Sequence, residues 1–146
     1  MNHFTQKPYL FFLISVPILL FIGILNGDAL LDINVHDTYF IISYFHLTIL
    51  ISFLFGIIGI AYWIMKKINI ELSRWLNRVH LGLTFGGILA IWVLSHFYRT
   101  ELMEYQFNNN LTSTIIAIIL VIVLGQIIFL LNTIRGIIKK YIISHN

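Results

Sequence analysis

Thr38-Tyr39-Phe40-Ile41-Ile42-Ser43-Tyr44-Phe45-His46-Leu47-Thr48-Ile49-Leu50-Ile51-Ser52-Phe53-Leu54-Phe55-Gly56-Ile57-Ile58-Gly59-Ile60-Ala61-Tyr62-Trp63-Ile64-Met65 contains no Asp, Glu, Lys or Arg. A stretch of about 20 mostly apolar residues is enough to cross the hydrocarbon core of a bilayer. The stretches 8–25, 81–97 and 112–134 are also uncharged and apolar. One such run alone would also suit a buried core helix. Four of them in 146 residues leave no polar layer to cover them. The chain is 59% hydrophobic and only 10% charged, against about 25% charged in an ordinary soluble domain. Its mean hydropathy is +0.91. The expectation is an all-α protein, a four-transmembrane-helix bundle forming a single membrane domain over residues 1–146, with helices at about 8–25, 38–65, 81–97 and 112–134.

The charges orient this bundle. Lys7, Lys66, Lys67, Arg74, Arg78, Arg135, Lys139 and Lys140 all fall on one side of a chain with four spans, and Arg99 falls on the other. Asp28, Asp32, Asp37, Glu101 and Glu104 share the side of Arg99. Cytoplasmic loops carry the excess of Lys and Arg, so both termini and the middle loop are expected in the cytoplasm. The basic residues are thereby read as topology signals, and no nucleic-acid partner is expected. Trp63, Trp75, Tyr9, Tyr98 and Tyr141 lie near span ends, as an interfacial aromatic belt requires. With no cysteine in the chain, a disulfide framework, a thiolate metal site and a thiol nucleophile are excluded. There is no glycine-rich phosphate loop and no Ser/His/Asp set at a common depth.

His46 is the most informative polar residue. On a helix starting near Thr38 it would lie roughly 12 Å below the outer end, at 1.5 Å per residue. Ionisable side chains at such depth are costly and tend to be functional. An imidazole there can serve as an axial haem ligand, or can donate to a carbonyl or hydroxyl of a neighbouring helix. The preceding segment, Leu31-Asp32-Ile33-Asn34-Val35-His36-Asp37-Thr38-Tyr39, groups carboxylates and an imidazole at the membrane surface. Such a cluster can hold a divalent cation. It can equally be a solvated loop in which Asp37 or Thr38 caps the second helix. His80 and His96 bracket the third helix, where surface or headgroup contacts are expected of them. Gly82, Gly86 and Ala90 form a small-residue stripe on that helix, suited to packing within the bundle or to a homodimer face. Asn108-Asn109-Asn110 reads as a turn, with Thr112 or Ser113 capping the fourth helix.

The stretch from Leu31 to His46 resembles subunit I of the haem–copper oxidases, the catalytic subunit of cytochrome c oxidase. That family carries a motif close to L-D-I-x-x-H-D-T-Y-Y-V-V-A-H-F-H at the start of its tenth helix. A second block, His80-Leu81-Gly82-Leu83-Thr84-Phe85-Gly86-Gly87 followed by His96-Phe97, resembles the eleventh. The resemblance implies that the bundle corresponds to the last four helices of subunit I. It implies that His46 is an axial ligand of an a- or b-type haem, and that His36 and Asp37 lie on the haem propionate side, next to a possible Mg site. The family ligates its oxygen-reducing haem through a histidine two residues earlier, and here that position is Tyr44. The copper ligands belong to earlier helices, so no copper is expected. The chain on its own is therefore not expected to be a complete oxidase, at most part of a cytochrome c oxidase-type complex. The expected function is a haem-binding subunit associated with respiratory electron transfer. The alternative is a cofactor-free structural or assembly subunit of a respiratory membrane complex. The expected partners are the lipid bilayer and either further copies of the chain or other respiratory-complex subunits, in a bacterial inner membrane.

Overall fold

The computed structural model describes residues 7–27, 30–35, 38–98 and 105–145. The four expected helices are present, as α1 (Pro8–Leu25), α2 (Tyr44–Lys67), α3 (Arg74–Ser95) and α4 (Tyr105–His145). All four are long and apolar enough to cross a membrane. In lipid every backbone polar group must be satisfied inside the protein, and a helix does this within one segment.

The helix bounds differ from the sequence expectation in informative places. Residues 38–43 are not the start of α2. They form β2 (Thr38–Ser43), paired antiparallel with β1 (Leu30–Val35) in the register Leu30↔Ser43 through Val35↔Thr38. A short apolar run does not distinguish strand from helix by periodicity. Here β-branched and aromatic residues, together with the apolar–polar alternation of Leu31-Asp32-Ile33-Asn34-Val35, favour the strand. The expected cap at Thr38 therefore falls inside β2. The residue preceding α2 is Ser43, in an extended conformation, and its hydroxyl donates to the Gly27 carbonyl at 3.4 Å instead of capping the helix. Helix α3 begins at Arg74 rather than near Leu81, and α4 begins at Tyr105 rather than Thr112.

The three asparagines 108–110 are accordingly helical, not a turn. The hydroxyls of Thr112, Ser113 and Thr114 donate back to the carbonyls of Asn108, Asn109 and Asn110 at 2.9, 3.0 and 2.9 Å. This i−4 bonding satisfies each hydroxyl within the helix, so the segment needs no cap at Thr112.

The chain divides into two compact units, residues 1–69 and 70–146. Helix α2 ends at Lys67, and two residues on Asn69 takes a φ of 56°, the left-handed conformation common just past a helix end. In the first unit α1 and α2 run antiparallel. Phe12 is fully buried, edge-on to Phe55 at 5.1 Å and stacked on Tyr62 at 5.9 Å. Gly59 lets α1 come close, because a Cβ there would meet Leu13 Cγ at 2.9 Å. Near the other end of the pair Gly23 faces Thr48 in the same way. In the second unit α3 and α4 are likewise antiparallel, and the closely approached glycines are Gly87, against Ile122, and Gly125, against Leu83. The Gly82/Gly86 stripe does not serve this contact, since nothing lies within 4 Å of a Cβ built at either position.

Neighbouring glycines on α3 should therefore respond in opposite ways to one added methyl. Gly86→Ala is expected to be neutral or stabilising, since Ala is favoured over Gly in a helix by about 1 kcal/mol. Gly87→Ala and Gly59→Ala should destabilise, because β-branched Ile122 must give way at the first, and Leu13 Cγ and Phe12 Cβ, close to their own backbone, at the second. Thermal unfolding in detergent followed by circular dichroism measures the difference, with Tm expected to fall for Gly87→Ala and Gly59→Ala only.

Candidate functional site

His46 lies in the first turn of α2, since that helix starts at Tyr44. The extra depth expected from a helix beginning at Thr38 is taken up by β2. The imidazole is exposed, and its contact is with the ring of Phe45, edge-on at 5.9 Å. Among the described residues its ring nitrogens have no hydrogen-bond partner. Tyr44, two residues earlier, is half-buried, and residues two apart on a helix point about 200° apart. Exposed Ile49, Leu50 and Phe53 continue the apolar surface beyond His46. The other two expected site residues, His36 and Asp37, lie outside the described residues. Among the described residues, no three His, Cys, Asp or Glu side chains gather in a metal-holding group.

His80 does not sit at a headgroup surface as the sequence suggested. It is fully buried between α3 and α4, its ring stacked on Phe129 at 5.2 Å. Its Nε2 stands 3.1 Å from Gln126 Oε1. The Gln126 amide nitrogen donates to Thr84 Oγ1 at 3.0 Å and to the Ile122 carbonyl at 3.2 Å. With that amide oriented so, Oε1 is the acceptor and His80 Nε2–H the donor. His80 is thus held by a side chain of the facing helix and is not an available metal ligand through Nε2.

A second polar group lies nearer the start of α3. Asn132 of α4, 1% exposed, accepts from the Ser73 backbone N–H at 2.9 Å. Its amide nitrogen donates to the Ser73 carbonyl at 3.3 Å and to Asn77 Oδ1 at 2.8 Å. Ser73, Asn77, His80 and Thr84 recur at i, i+4, i+7 and i+11, the spacing of one helix face. That period is visible in the sequence, but His80 read alone looked interfacial. Just beyond the C-terminal end of α3, Tyr98 Oη meets Thr112 Oγ1 at 2.8 Å. At the opposite end Lys139 pairs with Glu71 at 2.8 Å. The hydrogen bond from Lys139, with its charge, holds the Glu71 carboxyl below the ordinary carboxylate range. His96 is exposed, with Nδ1 2.8 Å from the Trp92 carbonyl and its ring edge-on to Trp92 at 4.7 Å.

Four apolar helices, hydrogen-bonded polar side chains turned inward between α3 and α4, and exposed apolar side chains on every helix define a multi-pass integral membrane protein. Residues 1–107 match the family described as cytochrome C and quinol oxidase polypeptide I, and the chain belongs to that family. It is 28% identical over 92 residues to cytochrome c oxidase subunit 1 of Corynebacterium diphtheriae, covering 62% of this chain and 16% of that protein. It is 32% identical over 86 residues to the Cereibacter sphaeroides protein of the same name, covering 58% of this chain and 15% of that protein. The Candida albicans protein of that name is 31% identical over 76 residues, covering 51% and 14%. The chain thus spans about a sixth of the length of the curated relatives it matches. No solved structure matches it. The resemblance read from the two sequence blocks is borne out by these matches.

Asn132→Leu removes the partner of Ser73 and Asn77 at once. It is expected to destabilise the α3–α4 hairpin by roughly 1–2 kcal/mol, the upper range for buried polar contacts between membrane helices. Thr114→Val, whose hydroxyl bonds only its own helix, should stay within about 0.5 kcal/mol. Denaturant titration of the detergent-solubilised protein, read by circular dichroism, compares the two.

Proposed function

We propose that the chain is a haem-binding membrane subunit associated with respiratory electron transfer, with His46 as an axial ligand to an a- or b-type haem. The supporting observation is an imidazole that belongs to the family's haem-ligand motif and stands exposed, with unpartnered ring nitrogens among the described residues. These features suit one axial position. Bound there, haem supplies reversible one-electron chemistry at iron. The protein's part is to hold the iron through a neutral imidazole and to set an apolar wall, Phe45 with Ile49 and Phe53, beside the ring. A second imidazole for the iron would come from His46 of another copy or from a partner subunit. His36 and Asp37 are assigned to the propionate side and to a Mg site. Tyr44 stands where the family's oxygen-reducing haem has its histidine, so oxygen reduction is not part of this reading, and no copper is assigned.

The same reading puts both termini and residues 66–78 in the cytoplasm of a bacterial inner membrane, on the strength of Lys66, Lys67, Arg74, Arg78, Arg135, Lys139 and Lys140. It takes the two helix hairpins as one membrane domain. The second reading is a cofactor-free structural or assembly subunit. The observation favouring it is the hydrogen-bonded α3–α4 interface, which holds its own polar groups without a ligand.

An absorption spectrum separates the two. Protein expressed with ample haem and purified in detergent should show a Soret band and reduced-minus-oxidised visible bands. His46→Ala should lose most of that absorbance while keeping its helical circular dichroism. A wild-type protein without a Soret band, or a His46→Ala variant with an unchanged spectrum, leaves the cofactor-free reading in place.

A further inference from the structure

The last turns of α4 extend beyond what the hairpin requires. Residues 112–134 alone cover roughly 34 Å at 1.5 Å per residue, about the thickness of a hydrocarbon core. Arg135, Lys139 and Lys140 follow directly, where a span of that length would meet the lipid headgroups. One face of α4, carrying Gly125, Phe129, Asn132 and Gly136, is occupied by the α3 side of the hairpin. A Cβ at Gly136 would meet Ile70 Cγ2 at 2.7 Å and Leu72 Cδ2 at 3.0 Å. A different face carries Leu131, Ile134, Arg135, Ile138, Lys139 and Ile142, at i, i+3, i+4, i+7, i+8 and i+11. These six residues line a groove of about 580 Å³, and all of them are exposed.

The chemistry of this face is divided by depth. Leu131 and Ile134 offer an apolar rail toward the bilayer interior. Arg135 and Lys139, one turn apart, place two cations at the end of that rail. Lys139 is positioned by its 2.8 Å contact with Glu71, and Arg135 has no ion pair among the described residues. A zwitterionic headgroup would bring its own ammonium against these cations. An anionic phospholipid complements both halves, its phosphate accepting from the Arg135 guanidinium and the Lys139 ammonium, with an acyl chain along the rail. We propose that this face of α4 holds one anionic phospholipid as a bound ligand, distinct from the bulk lipid around the helices.

Native mass spectrometry of the full chain in detergent tests this with phosphatidylglycerol, phosphatidylcholine and inorganic phosphate as separate probes. One phosphatidylglycerol should be retained at collision energies that strip phosphatidylcholine, and inorganic phosphate should not displace it. The double variant Arg135→Gln/Lys139→Gln should lower that occupancy at least five-fold. Arg135→Lys/Lys139→Arg should retain it, and so should Lys66→Gln/Lys67→Gln, which removes the same charge elsewhere. Equal retention of phosphatidylcholine, displacement by inorganic phosphate, or equal losses in the two Gln double variants would overturn the proposal.

Discussion

Polar side chains between α3 and α4 have no water to turn to, and this constraint organises the second half of the molecule. Buried away from water, an unpaired amide or imidazole costs far more than at a protein surface. The Ser73 backbone and the Asn77, His80 and Thr84 side chains therefore need partners on the facing helix, and Gln126 and Asn132 supply them. Apolar contacts in a membrane are nearly as favourable with lipid as with another helix. Hydrogen bonds of fixed geometry are not interchangeable in that way. They select one register, in which Asn77 meets Asn132 and His80 meets Gln126. The glycines follow from it, since Gly125 and Gly87 fall where the backbones come closest.

The α1–α2 hairpin is built differently. Its contact rests on shape, with Phe12 between Phe55 and Tyr62 and glycines at positions 23 and 59. Ser52 is 3% exposed, and its hydroxyl has no partner among the described residues. The family match over residues 1–107 takes in this hairpin, its β1–β2 approach, where His46 emerges, and α3. A shape-based contact leaves that imidazole free of structural duty. His80, by contrast, is engaged in holding two helices together.

The four spans were legible because runs of uncharged residues carry their own meaning in a bilayer. The bounds of α1 were legible as well, since Pro8 opens the helix and Asn26 follows its last turn. The β1–β2 hairpin was not, because Thr38-Tyr39-Phe40-Ile41-Ile42 suits a strand and a buried helix equally until its pairing partner is known. The same ambiguity placed His46 too deep. The early start of α4 was hidden by three consecutive asparagines, which local propensity assigns to a turn. There the back-bonded hydroxyls of residues 112–114 satisfy themselves inside the helix. His80 was legible as a residue but not in its role, which needed Gln126, distant in sequence, on the opposite helix.

Because the chain has no cysteine, the register that the polar contacts impose can be read by introduced pairs. Leu83→Cys combined with Gly125→Cys leaves those contacts intact and, with a Cβ at Gly125 3.3 Å from Leu83 Cβ, should form an intramolecular disulfide on mild oxidation in native membranes, seen as a mobility shift reversed by reductant. Gly82→Cys with Gly125→Cys, one residue around the helix, should not, since nothing lies within 4 Å of a Cβ at Gly82. Equal cross-linking of both pairs, or none in the first, would contradict a hairpin aligned by its buried hydrogen bonds.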